Sequence, residues 1–205
     1  MPLKILFFIL MPTKIKPFFT NDNIIRMKKE MNIISKTESN ILVNNLKVVT
    51  KLTDRKRNRV AILKFNQFPK RFKTVISDAL THFYGASKKY SPESLDYQVE
   101  NHVNAGVMNE DLLFGAHQNS GAVGPNSEHV MSLLYYYDIE NIETSLQFFK
   151  TLKKFYFFSP WLEYVFSIPI KTSNIIAFTD AYHQPIVERS SIDSKRKVLV
   201  IIISR

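Results

Sequence analysis

The chain has 205 residues, of which 45% are hydrophobic, so it can bury a substantial core, and its length suggests one domain. It contains no cysteine, which excludes disulfides, iron-sulfur clusters, thiolate zinc sites and thiol catalysis. The formal net charge of +10 would favour an anionic partner such as nucleic acid, although the basic residues are scattered apart from residues 51–59 and 195–197.

Residues 1–60 show no sustained periodicity, and we predict that they form an N-terminal extension. The apolar run at residues 5–11 is too short to cross a bilayer or to act as a convincing secretion signal. The sequence therefore predicts an intracellular protein, cytoplasmic or nuclear, without a membrane span.

Residues 70–85 carry the pattern of an amphipathic helix. Glycine at position 85 is suited to ending it. Apolar side chains recur there at helical spacing, at Phe72, Val75, Ile76, Leu80 and Phe83. We expect this helix to brace the core of a domain spanning residues 61–205.

Beyond Pro92, β-branched and aromatic residues come in short runs separated by turn-forming residues. The runs predict strands at residues 97–107, 130–137, 146–149, 164–170, 174–178 and 197–203. Residues 184–194 are predicted to form a turn before the last strand. Short strands without long helices between them favour a β-sandwich or barrel over a parallel α/β sheet.

Candidate chemistry centres on the five histidines, since neither a nucleotide-binding glycine motif nor a nucleophile elbow occurs. His82 lies in the predicted helix, and His102 and His129 lie beside strand starts, so we interpret these three as structural or surface residues. His117 and His183 each follow a strand and precede a loop and another strand. They could therefore converge at one end of a β-structure.

Two stretches carry a resemblance to a known family. GAHQNSG at residues 115–121 is followed by LLYYYD at residues 133–138 and IETSLQFF at residues 142–149. Residues 170–203 contain an apolar strand, a histidine and a basic residue that opens the last strand. In this order and spacing the chain resembles the iron(II) and 2-oxoglutarate-dependent dioxygenases, in particular the prolyl hydroxylase-like branch, over about residues 97–203.

The resemblance implies a mainly β fold with N-terminal helices, a double-stranded β-helix or jelly roll. It also implies Fe(II) as cofactor, 2-oxoglutarate as co-substrate and ascorbate as a possible reductant. By the same resemblance His117, Asn119 and His183 would hold the metal, while Arg196 and Tyr136 would bind 2-oxoglutarate. The chemistry fits such a site, because two imidazoles and one carboxylate on one face leave open positions for the 2-oxoacid and oxygen.

The sequence leaves the co-substrate residues open. Tyr135 competes with Tyr136, because a shift of one position in register moves a side chain to the other face of the sheet. Lys195 and Lys197 likewise compete with Arg196, whose planar fork suits a carboxylate best.

Asn119 departs from the family, in which an aspartate holds this place. An asparagine oxygen is a neutral ligand, so the site should bind Fe(II) more weakly. Three interpretations follow. The protein is an active oxygenase with a weakened or rearranged site and another carboxylate nearby, such as Glu110, Asp111 or Glu128; it is an inactive dioxygenase fold that binds a partner or a small acid; or the resemblance is accidental. If the protein is active, its substrate is expected to be a protein side chain or another macromolecule, and the rival is a basic nucleic-acid-binding protein.

Overall fold

The structure, a computed structural model, describes residues 31–37, 59–108, 116–119, 126–153 and 161–205. In these ranges the elements follow in the order β1 (Ile33–Thr37), β2 (Arg59–Leu63), α1 (Lys70–Tyr84), β3 (Asp96–Ala105), β4 (His129–Lys153), β5 (Trp161–Pro169), β6 (Asn174–Phe178) and β7 (Tyr182–Ser204). Short 3-10 helices lie at Phe65–Gln67, Lys88–Tyr90 and Pro92–Ser94.

Two long antiparallel strands, β4 and β7, form the centre of the fold. Residues 129–140 of β4 pair with residues 195–204 of β7, and residues 142–149 pair with residues 182–190. Each strand therefore belongs to two sheet portions, one on either side of a bend. β4 carries β-branched and aromatic residues in both halves, and pairing with β4 extends β7 through its more polar first half.

The bend between the two portions has a local cause. Asn141 adopts a left-handed conformation with φ of 52°, which asparagine tolerates better than most residues. Opposite it, residues 191–194 of β7 have no paired partner on β4 and bulge outward. The Ser194 hydroxyl donates to the Asn141 carbonyl, and the Asn141 side-chain nitrogen lies 3.4 Å from the Asp193 carbonyl oxygen. These contacts stabilise the bend in the β4–β7 pair. β-bulges commonly occur where strands bend in this way.

The remaining strands extend the two portions. The larger portion has the order β1, β6, β4, β7, β3, β2, and β5 pairs with the other half of β4. All these pairings are antiparallel. The sheet curls into a half-barrel, which confirms the prediction of a mainly β, jelly-roll fold.

The larger sheet portion buries both of its faces. On one face Met131, Leu133 and Tyr135 of β4 pack with α1. On the other face, Leu134 and Tyr136 of β4 pack across the interior of the half-barrel against the second sheet portion. The alternation follows from the two-residue period of a strand, and it decides which side chains can reach the interior.

The predicted helix at residues 70–85 is confirmed as α1. Its buried residues are Phe72, Val75, Ile76, Ala79 and Leu80. Gly85 ends it at φ of 65°, and its backbone N–H donates to the Thr81 carbonyl at 2.9 Å. Glycine reaches this left-handed conformation without the steric cost that other residues meet.

Two predictions about the course of the strands were wrong. Residues 184–194 were predicted as a turn, yet they lie in β7, and residues 184–190 pair with β4. Residues 130–137 and 146–149 were predicted as separate strands, yet both belong to β4. The serines, Pro185 and the charged residues of the first segment are typical of a turn, but pairing with the apolar half of β4 overrides that local preference.

The predicted N-terminal extension contributes strands where the structure describes it. β1 pairs with β6, and β2, which begins at Arg59, pairs with β3. The apolar run at residues 5–11 and most of the basic run at residues 51–59 lie outside the described residues, so binding of nucleic acid stays a prediction. Within the described ranges, no helix has the length and apolar character needed to cross a bilayer.

Replacing Phe72 by alanine should destabilise the fold strongly. Its ring is 1% exposed and meets Tyr135 edge-on, with ring centres 5.7 Å apart. The loss of a buried aromatic side chain leaves a cavity and should lower the free energy of unfolding by about 3–5 kcal/mol in urea titrations. Thr81→Ala, at an exposed position of the same helix, is the control and should change it by less than about 0.5 kcal/mol. Equal effects of the two variants would contradict the packing of α1 on the sheet.

Candidate active site

His117 and His183 lie side by side. The short segment at residues 116–119 runs along the start of β7, where the backbones of His117 and His183 exchange two hydrogen bonds, both 3.0 Å long. Residues directly opposite one another in an antiparallel pair project to the same face. Their ring centres are accordingly 4.4 Å apart, with the ring planes at 52°.

The separation of these rings fits a shared metal ion. Two imidazoles bound at right angles to one cation, each through a nitrogen about 2.1 Å away with its ring centre about 1.1 Å beyond, have centres about 4.5 Å apart. The observed 4.4 Å agrees with this arrangement. The two residues predicted as metal ligands are thus brought together, and their role as ligands stays a prediction.

The surroundings of His183 keep its imidazole neutral. The residue is 3% exposed, and its ring lies 4.6 Å from that of Phe178. Burial, and after it the neighbouring His117, lowers the pKa of His183 to about 3. Its Nδ1 lies 3.2 Å from the Ala181 carbonyl oxygen, which can only accept, so Nδ1 carries the proton. The lone pair is then on Nε2, as metal-binding histidines require.

Asn119 is the third predicted ligand and lies in the same segment. It is 8% exposed, and its side-chain Nδ2 donates to the Ser132 hydroxyl oxygen at 2.9 Å. Among the described residues, no group of three or more His, Asp or Glu side chains could hold a metal ion. The role of Asn119 as the third ligand, through its side-chain oxygen, therefore stays a prediction.

Three carboxylates were considered as alternative metal ligands. Glu128 lies at the surface in ion pairs with Lys89 at 3.1 Å and Arg205 at 3.8 Å. Glu110 and Asp111 lie outside the described residues. The donor set of two neutral imidazoles and one amide oxygen suits a divalent cation but carries no charge of its own.

Arg196 is buried in the interior. It is 5% exposed, and its Nη1 donates to the Asn104 side-chain oxygen at 3.1 Å. Its Nε has no hydrogen-bond partner, and none of the carboxylates described in the structure forms an ion pair with it. Lys195 and Lys197 instead pair with Glu140 and Asp138 toward the surface. Of the three basic candidates, Arg196 is therefore the one available to an anion inside the half-barrel.

Tyr136 and Tyr135 occupy opposite faces of β4. Tyr135 packs against Phe72 of α1, outside the half-barrel. Tyr136 faces the interior, where its ring centre lies 5.5 Å from the Arg196 guanidinium carbon. Burial raises the pKa of Tyr136, and the neighbouring Arg196 offsets part of that rise, so the hydroxyl stays protonated and can donate.

Comparison with known proteins gives likeness in structure only. No protein-family model and no curated protein sequence matches the chain. A prolyl-4-hydroxylase from Pseudomonas putida matches with a TM-score of 0.50 at 9% identity, over 88% of this chain and 96% of that one. The non-heme alpha ketoglutarate dependent carbocyclase SnoK from nogalamycin biosynthesis matches with a TM-score of 0.53 at 9% identity, over 91% of this chain and 84% of that one.

A prolyl hydroxylase from Trichoplax adhaerens, in complex with a peptide fragment of the hypoxia inducible factor oxygen degradation domain, matches with a TM-score of 0.51. Its identity is 10%, over 89% of this chain and 87% of that one. The chain has the fold of prolyl hydroxylases and other 2-oxoglutarate-dependent oxygenases. At such low identity the likeness concerns the fold.

Within this oxygenase fold, β3 adds a polar row that the sequence did not reveal. Glu100 and His102 face the interior, with Glu100 Oε2 2.9 Å from His102 Nε2 and both side chains about 15% exposed. The hydrogen bond from His102 lowers the pKa of Glu100 most; Gln98 and the nearby His117 add smaller effects of the same sign, against burial. Alternating polar residues along residues 98–104 were the available signal, but the same pattern is typical of a solvated strand face.

The structure gives His129 a position that the sequence did not specify. It was interpreted as a structural or surface residue, and its ring is half-buried, with Nε2 3.0 Å from the Ser132 hydroxyl oxygen. Burial lowers the pKa of His129, and Asp180 offsets part of that effect. His129 is also close enough to His183 to disfavour its protonation. No local sequence signal marks the β-bulge beside it, which is why strand periodicity fails at this position.

Proposed function

We propose that the protein is a 2-oxoglutarate and Fe(II)-dependent oxygenase that hydroxylates a protein side chain or another macromolecule. His117, His183 and the Asn119 oxygen would hold the iron, and Arg196 with Tyr136 would bind the far carboxylate of 2-oxoglutarate. The oxygenase fold and the adjacent histidines support this proposal. Arg196 carries it, because a buried cation without a carboxylate partner is costly unless an anion binds beside it.

The chain's own residues account for several requirements of the reaction. Bound iron and 2-oxoglutarate would activate oxygen, with 2-oxoglutarate converted to succinate and carbon dioxide as the substrate is hydroxylated. Arg196 presents a planar fork that can bind a carboxylate through two hydrogen bonds, and the Tyr136 hydroxyl can donate a third. Leu134, Phe148 and Phe178 line the interior and exclude water, which strengthens these contacts.

Asn119 favours a second candidate, a dioxygenase fold that binds 2-oxoglutarate or a related acid without turning it over. The neutral oxygen leaves the histidine pair without the negative charge that stabilises Fe(II) in the family's usual site. This candidate shares the Arg196 pocket with the first. It differs in predicting that 2-oxoglutarate binds and no succinate forms.

Turnover of 2-oxoglutarate tests the proposal. The purified protein with Fe(II), 2-oxoglutarate and ascorbate should form succinate slowly, detected by NMR, even without the primary substrate. His183→Ala should abolish it, whereas His82→Ala, at an exposed position of α1, should not. Binding of 2-oxoglutarate without succinate would support the non-catalytic candidate. Succinate formation unaffected by His183→Ala would reject the metal site.

A further inference from the structure

Asn119 is not simply an aspartate lost from the site, because other buried groups are arranged around its amide. Ser132 lies on the interior face of β4 and is fully buried. Its hydroxyl oxygen is 2.9 Å from Asn119 Nδ2 and 3.0 Å from His129 Nε2. The three side chains thus meet at one oxygen atom beside the histidine pair.

A β-bulge directs His129 to this point. His129 pairs with Ser204 and Met131 pairs with Ile203, so Val130 is an extra residue on β4. Val130 and Met131 both pack in the cluster that contacts α1. The extra residue therefore turns His129 to the interior face, where regular alternation would have placed it with Met131 on the helix side.

The chemistry of the three groups sets the direction of their hydrogen bonds. An amide nitrogen can only donate, so the Ser132 oxygen accepts from Asn119. Among the described residues, the other recorded side-chain partner of the Ser132 hydroxyl is His129 Nε2. The Ser132 oxygen could accept from both neighbours, but donation to His129 Nε2 is the arrangement that gives the buried serine proton an acceptor. We therefore assign the serine proton to Nε2 and the proton of the neutral His129 to Nδ1, a buried nitrogen without a hydrogen-bond partner among the described residues. The chain of donors runs from Asn119 through Ser132 to His129.

We propose that Ser132 and His129 are positioning residues that hold the Asn119 amide by its nitrogen and leave its oxygen free for a metal ion. Only the oxygen of a carboxamide can bind a cation, so this orientation is the competent one. The part of the proposal that concerns metal rests on the proposed function. The orientation of the amide does not.

The direction of the hydrogen bonds gives a test that needs no metal. An aspartate at position 119 can only accept, so Ser132 would donate to it and His129 Nε2 would have to donate to Ser132. Nitrogen-15 NMR of the ligand-free protein at pH 8 should therefore show His129 protonated on Nδ1 in the natural chain and on Nε2 in Asn119→Asp. The same tautomer in both proteins would overturn the proposal.

Affinity for Mn(II), measured by calorimetry, tests the consequence for the metal. Ser132→Ala should weaken binding about tenfold or more, as loss of a group that orients a metal ligand commonly does, and Ser132→Thr should restore it. Ser145→Ala is the matched control, since Ser145 is also buried on β4 but bonds Glu188, and it should leave the affinity unchanged.

The two experiments separate the possible failures. Equal Mn(II) affinity in Ser132→Ala and Ser145→Ala would overturn the positioning role. Absence of Mn(II) binding in the natural chain would reject the proposed metal site, while the NMR comparison still decides how the amide is held. If Ser132→Ala does not fold, as judged by circular dichroism, full Mn(II) affinity in Ser132→Thr and the tautomer change would support the proposal, and loss of either would reject it.

Discussion

Replacing Arg196 by methionine should stabilise the ligand-free protein and abolish its binding of 2-oxoglutarate. The guanidinium is 5% exposed, and among the described residues its recorded hydrogen-bond partner is the neutral Asn104. Apolar residues of similar volume in place of buried charges are often neutral or stabilising, by about 1–4 kcal/mol. A thermal melt without ligand should therefore show an unchanged or higher midpoint.

The same Arg196→Met substitution should weaken the binding of 2-oxoglutarate. Truncating one partner of a buried, hydrogen-bonded charge pair costs about 2–5 kcal/mol, so affinity should fall roughly thirtyfold or more. Calorimetry with Mn(II) in place of iron measures it. Lys195→Met is the control, because Lys195 pairs with Glu140 near the surface. A less stable Arg196→Met variant that still binds 2-oxoglutarate normally would show that Arg196 is a structural cation and not the clamp.

Replacing Asn119 by aspartate should tighten binding of a divalent metal by at least about tenfold, or ~1.4 kcal/mol. The change adds a negative charge to a donor set that otherwise consists of two neutral imidazoles and an amide oxygen. Asn119 is 8% exposed, so a carboxylate at this position would be buried without a bound cation, and the metal-free variant should melt at a lower temperature. Added Mn(II) should then raise its melting temperature more than that of the natural chain.

The control for this change is Asn66→Asp, which adds the same charge at an exposed position. It should leave Mn(II) affinity unchanged, since exposed charges are screened by solvent and salt. If the natural chain forms succinate, Asn119→Asp should increase the rate at low iron. Identical metal affinities of Asn119→Asp and the natural chain would show that position 119 is not a ligand.

Much of the fold could be predicted from the sequence, because its signals are local. The helix at residues 70–85 has clear periodicity and a glycine at its end, the strand at residues 174–178 is a short apolar run, and both are observed. The continuity of β4 and β7 could not be predicted. It depends on pairing between residues far apart in sequence, which overrides polar and turn-forming residues in the middle of each strand.

Part of the candidate site could likewise be predicted from the sequence, and part could not. The sequence could place His117 and His183 at strand ends, and the structure brings their rings together. The sequence could not choose between Tyr135 and Tyr136, because the answer depends on which face of β4 the helix covers. It also could not place the His129 side chain on the interior face, because a single extra residue at Val130 reverses the face on which the histidine lies.

The continuous strand β4 also fixes the distance between two parts of the candidate site. Ser132, which bonds Asn119, and Tyr136, which lies beside Arg196, are on the same face of this one strand. Four residues of extended chain place their Cα atoms about 13 Å apart. No loop lies between them that could shorten or lengthen this span. In the proposed oxygenase, the continuous strand would therefore keep the residues that hold Asn119 and the residues beside Arg196 at a constant separation.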